Sequence, residues 1–180
     1  LSVLAEVGLK RWVLPVELSR DTLAAMQSAR PAGVETEVFA WGRLPLAYSA
    51  RCFTARAHNL PKDDCQFCCL DYPDGLLLST REDEAFLVMN GIQTQSAKTL
   101  NLINELDDLG KLGVDVLRIS PQSAHTETVI RLFHDCLQGT YSTTTAATEL
   151  AALMPVGLCN GYWYGDAGMD ALQPEGQACP

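Results

Sequence analysis

The sequence predicts an α/β fold, the C-terminal part of a TIM-barrel-like (β/α) domain with a cysteine-bearing loop insert. Three observations predict it. Strand-then-helix units recur at residues 11–29, from 34 onward and at 114–137, the alternation expected of parallel strands with helical crossovers. The chain has 180 residues, 47% of them hydrophobic, enough for one sizeable core and too little for two comfortable ones. These units are too few to close an eight-stranded barrel, so they read as its second half.

The first eight residues, Leu1 to Gly8, read as the end of an apolar helix. Residues 11–16 form a short apolar run that fits a buried strand. Ser19 is placed to cap a helix carrying Leu23, Ala24 and Met26. Val34 to Phe39 alternates apolar and acidic residues, as a strand does. From Gly42 to Tyr72 the prolines and cysteines predict a long loop with one helical turn. Leu76–Leu78 and Ala85–Met89 read as two strands around the charged turn 81–84. Ser96 is then expected to cap a helix with Leu100, Ile103, Leu106 and Leu109 on one face. Val114 to Ser120 is a strand stopped by Pro121, and helices follow at about 124–137 and 143–153. Residues 1–165 are thus expected to be the C-terminal portion of a single barrel-like domain whose N-terminal part is absent. Residues 166–180 are expected to be a flexible tail.

A formal charge of −9 argues against a general nucleic-acid binder, which needs clustered Lys and Arg. No run reaches the roughly 18 apolar residues that span a bilayer, and no basic-then-apolar leader is visible. The chain begins at Leu1, not Met, and reads as a piece of a longer cytoplasmic protein.

The seven cysteines lie at 52, 65, 68, 69, 136, 159 and 179. An odd number, four of them within 52–69, does not resemble a secreted disulfide framework and suggests metal or redox chemistry. Cys52, Cys65 and Cys69 stand in a C-x12-C-x3-C arrangement, with Cys68 beside them. Thiolates are soft ligands suited to zinc or iron–sulfur centres. One helical turn would put Cys65 and Cys69 on one face. A zinc ribbon needs two C-x2-C pairs and only Cys65–Cys68 qualifies. Buried free thiols and a redox disulfide are the alternatives. Cys136 fits an apolar helix face and reads as core.

Other candidates carry weaker signals. His58, His125 and His134 lie in separate segments without an obvious partner, so a nucleophile–base pair is not indicated. Glu17 and Glu37 stand in or at the ends of strands, and either line a pocket or are solvated or ion-paired. Arg51 and Arg56 flank Cys52, as ordinary surface arginines or as counter-charges to a cluster. Tyr162 and Trp163 fit core packing.

The segment Glu37-Val-Phe-Ala-Trp-Gly-Arg-Leu-Pro-Leu-Ala-Tyr-Ser-Ala-Arg-Cys52 resembles the signature of the collagenase-like peptidase family. With Phe53-Thr-Ala-Arg56, Lys10-Arg-Trp-Val-Leu-Pro-Val-Glu17, Leu117-Arg-Ile-Ser-Pro-Gln122 and Cys159-Asn-Gly-Tyr-Trp163, it is similar to the UbiV (YhbV) branch, over about residues 1–169. The resemblance implies a 4Fe–4S cluster on Cys52, Cys65 and Cys69, with the fourth ligand outside this chain. It also implies a heterodimer with a UbiU-like member of the same family and a lipid-binding accessory protein. The implied role is in oxygen-independent hydroxylation steps of ubiquinone biosynthesis, where a cluster closed by four thiolates transfers electrons. Peptidase or RNA-base-hydroxylating relatives, and a zinc-stabilised binding module, are the alternative readings.

Overall fold

A computed structural model describes residues 1–172 of the chain. The fold is mixed α/β, as predicted, with seven strands in one sheet. In chain order the regular elements are α1 (Ser2–Glu6), β1 (Arg11–Val13), α2 (Arg20–Ser28), β2 (Glu35–Tyr48), α3 (Phe53–Ala57), β3 (Leu76–Ser79), β4 (Ala85–Asn90), β5 (Gln93–Asn101), α4 (Leu106–Lys111), β6 (Val116–Ile119), α5 (Thr126–Leu137), α6 (Thr143–Ala151), β7 (Leu158–Cys159) and α7 (Gly161–Tyr164).

β2 organises the molecule. Its first half is the centre of a parallel trio, pairing with β1 (Val13 opposite Glu37) and with β6 (Glu37 opposite Val116). This is the predicted β/α part. The second half of β2 pairs antiparallel with β5, which continues into the antiparallel hairpin of β4 and β3. β7 joins β5 in parallel. Among the described residues, β1 and β6 pair with β2 only.

The predicted loop from Gly42 to Tyr72 is therefore corrected at its start, because β2 runs on through Leu46 to Tyr48. Pro45 disguised it: the residue has no N–H, and the register breaks on both sides of it. The predicted Ser96-capped helix is also corrected. Gln93–Asn101 is strand β5, and Ser96 is a buried ladder residue. Its Oγ accepts the Leu44 N–H at 2.8 Å and donates to the Lys98 carbonyl at 2.6 Å, serving the strand where proline interrupts it. Helical structure begins only at the 3-10 turn Ile103–Glu105. The Ser19 cap is observed, accepting the Thr22 N–H at 3.3 Å.

Helices α2, α4, α5 and α6 bring Leu23, Leu109, Leu132, Phe133 and Leu150 into one core with Val38 and Trp41 of β2. Phe133 meets Trp41 edge-on, ring centroids 6.4 Å apart. Thr36, fully buried, accepts from the Trp12 indole at 2.8 Å and donates to Gln27 at 2.7 Å, tying β1, β2 and α2 together. Arg20 grips Asp108 with two bonds of 2.6 and 2.8 Å, locking α2 to α4.

Glu37 is buried and held between Arg118 of β6, at 2.5 Å, and Arg11 of β1, at 3.5 Å. Of the two readings open for it, the structure takes the ion pair. Glu17 is exposed. The first part of the predicted tail is hydrogen-bonded. The Asp170 carbonyl accepts from the backbone of Asn160 and Gly161, and the Asn160 side chain pairs with the backbone of Leu172 at 2.7 and 2.8 Å. The rest of it, residues 173–180 with Cys179, lies outside the described residues.

Candidate cysteine site

The second half of β2 delivers the chain to Cys52. The turn between β4 and β5 receives it: Ile92 O accepts the Ser49 N–H at 2.8 Å and Gly91 O accepts the Phe53 N–H at 2.7 Å. Cys52 is thereby fixed as the cap of α3, its sulfur accepting the Ala55 N–H at 3.5 Å. The helix lasts five residues. Asn59, at φ 55°, turns the chain back, and the Leu60 N–H returns to Ala55 O at 2.9 Å.

Pro61 then leads into the 3-10 turn Lys62–Asp64, followed by Cys65. Gln66 and Phe67 are consecutive left-handed residues, at φ 51° and 50°. They tighten the chain so that the Cys68 N–H reaches Cys65 O at 3.2 Å, and a second 3-10 turn, Cys68–Asp71, carries Cys69. The single helical turn expected across Cys65–Cys69 is therefore corrected. A left-handed reversal links the two, a conformation that non-glycine residues adopt rarely and that the residue types do not announce.

The two cysteine segments pack against each other. α3 contacts the Cys68–Asp71 turn, and the His58 ring lies 5.5 Å from the Tyr72 ring, centroid to centroid. The Cys68 thiol ionises above its ordinary range, first because of burial and then because the thiols of Cys52, Cys65 and Cys69 face it. The fold thus brings Cys52, Cys65 and Cys69 into one neighbourhood, with Cys68 among them, all as free thiols. Among the described residues, no three Cys, His, Asp or Glu side chains already converge at metal-binding spacing. Thiols are the donor type that iron–sulfur and zinc centres use.

Arg51 and Arg56 stand beside Cys52 and line an open pocket of about 650 Å³ together with Asn59, Leu60, Pro61 and Asp63. Asn59 and Asp63 carried no signal in the sequence. Only the left-handed turn at Asn59 brings the two arms of the segment around one cavity.

The remaining candidates lie elsewhere. Cys136 is half-buried on α5, and Cys159 is buried where β7 meets β5, its thiol pushed up to about 11 mainly by burial. Trp163 is in the core and Tyr162 packs on it. His125 caps α5 and His134 bonds Asp135 at 3.2 Å. Among the described residues no histidine hydrogen-bonds a cysteine or a serine. No helix of the described residues is long and apolar enough to cross a membrane.

No solved structure matches the chain. The model of one protein family, described as peptidase family U32, matches residues 1–173. That span takes in every strand of the described residues, the cysteine segments and the pocket beside Cys52, and the chain belongs to peptidase family U32.

Proposed function

We propose that this protein holds a 4Fe–4S cluster through Cys52, Cys65 and Cys69, and that it serves oxygen-independent hydroxylation in ubiquinone biosynthesis with a UbiU-like partner. The single observation that supports the reading is the packing of the Cys52 helix against the Cys68–Asp71 turn, which brings the segment of Cys52 to that of Cys69, 17 residues on in sequence. The finer assignment to the UbiV branch rests on the motif resemblance around Cys52 and at 117–122 and 159–163.

When bound, the cluster supplies one-electron transfer at a potential set by burial and by hydrogen bonds to sulfur. The chain's own residues do the rest. Cys52 is held at the start of α3, with the Ala55 N–H donating to its sulfur at 3.5 Å. Gln66 and Phe67 reverse the chain so that Cys65 and Cys69 belong to one short segment. Arg51 and Arg56 place positive charge next to Cys52, which stabilises an anionic centre. The fourth ligand comes from outside this chain, as the resemblance implies.

The test is anaerobic purification of the full-length protein with a UbiU-like partner, then visible spectroscopy with iron, sulfide and zinc analysis. Wild type is compared with Cys52→Ala, Cys65→Ala, Cys68→Ala and Cys69→Ala. A brown protein with about four irons, retained only in Cys68→Ala, is the expected result. A colourless protein holding zinc, or holding no metal, overturns the reading and returns the peptidase and binding-module functions to the front.

A further inference from the structure

Four of the nine arginines of this acidic chain are answered by carboxylates among the described residues. Arg11, Arg20, Arg30 and Arg118 each hold an Asp or Glu. Arg51 and Arg56 do not: among the described residues neither has a carboxylate within 4.0 Å, although the chain carries a formal charge of −9. Both are exposed, and both face the same cavity of about 650 Å³, which is in the size range of small-molecule sites.

The cavity is shaped by backbone that the hydrogen bonds fix. The Leu60 N–H is tied to Ala55 O at 2.9 Å, and Leu60 and Pro61 supply apolar surface to the lining. Two guanidiniums lining one cavity favour an anion there. Asn59 adds an amide donor and acceptor, while Asp63 adds one acceptor that disfavours a dense polyanion and suits a hydroxyl on the ligand.

We infer that this pocket binds a small organic anion, a carboxylate or a phosphate ester that also carries a hydroxyl, gripped by Arg51 and Arg56. The site stands on the arginines and the cavity, and it holds whether or not the neighbouring thiols carry iron. Its position beside Cys52 places the ligand next to the cysteine set.

The experiment uses the full chain with its thiols kept reduced, metal-free and after iron loading. Citrate, glycerol 3-phosphate and inorganic phosphate are titrated calorimetrically. One-to-one binding is expected, weakened roughly tenfold or more in Arg51→Gln and in Arg56→Gln, since a charge-assisted hydrogen bond is lost in each. Arg131→Gln, an exposed arginine on α5, leaves the affinity unchanged. Asp63→Asn tightens inorganic phosphate by removing a like charge. Binding of citrate alone assigns a carboxylate ligand, and binding of the phosphates alone assigns a phosphate ester. No saturable binding, or equal weakening in Arg131→Gln, overturns the inference. So does a fall in iron content in Arg51→Gln with anion affinity intact, because the arginine then serves the thiols alone. Far-UV circular dichroism of each variant separates lost binding from lost fold.

Discussion

Ser96→Ala removes one oxygen from the place where β2 is weakest. The Leu44 N–H is buried, and its partner is the Ser96 hydroxyl, 2.8 Å away, because Pro45 breaks the regular ladder there. Without that oxygen the amide has no acceptor and no route to water. A buried, unsatisfied N–H costs about 1–3 kcal/mol, and the Lys98 carbonyl loses its donor as well, so about 2 kcal/mol is expected. For a chain of this size each kcal/mol moves the melting temperature by about 2–4 °C, giving a fall of about 4–8 °C. Hydrogen exchange adds a local readout: the Leu44 amide exchanges faster in the variant, while amides of α5 change only by the global loss of stability. A melting temperature within about 1 °C of wild type, with Leu44 still protected, refutes the argument.

Gly42→Ala introduces a side chain at φ +123°, with its Cβ 2.6 Å from Ser120 Cβ. It lowers stability by about 2–3 kcal/mol, measured as an earlier urea midpoint. Cys52→Ala removes only a long 3.5 Å cap to Ala55 N, so stability changes by less than about 1 kcal/mol and loss of iron in this variant reports loss of a ligand. The Cys159 thiol ionises near 9.0 in the unfolded chain and near 11 in the fold. Unfolded protein therefore releases this proton first, and the contribution is intact below pH 9.0 and lost as pH rises toward 11, by about 2–3 kcal/mol. Urea melts at both ends of that window detect it as a steeper fall in wild type than in Cys159→Ala. Thr36→Val orphans the buried Trp12 indole N–H and the Gln27 oxygen, costing about 2–4 kcal/mol in a urea melt.

Periodicity read well where one face of an element is buried. The α5 stripe of Val129, Leu132 and Phe133 and the β6 run were visible because the core selects them. It failed at β5, where Leu100, Ile103, Leu106 and Leu109 keep helical spacing across three different elements: Leu100 belongs to a strand, Ile103 to a 3-10 turn, and Leu106 and Leu109 to α4. Burial of Ser96 and Thr99 on that strand is decided by partners far away in sequence, which no local window contains. The cysteines were legible as a set because thiol spacing is itself chemical information. Their mutual geometry was not, since it depends on left-handed residues at Gln66 and Phe67 and on the contact of His58 with Tyr72. The pocket beside Cys52 was invisible for the same reason, although Arg51 and Arg56 already stood out.

β2 has unequal ends. Val38 to Gly42 lie inside the core, while Leu46, Ala47 and Tyr48 are exposed and are followed directly by the turn to Cys52. Local opening of that outer end parts Cys52 from Cys65 and Cys69 and leaves the parallel trio standing, because the hairpin of β3 and β4 reaches that trio only through β5. The thiols are therefore reached through the exposed end of the strand. On the proposed reading, a cluster bound by these thiols would tie the outer half of β2 to the Cys65–Cys69 segment and stiffen it.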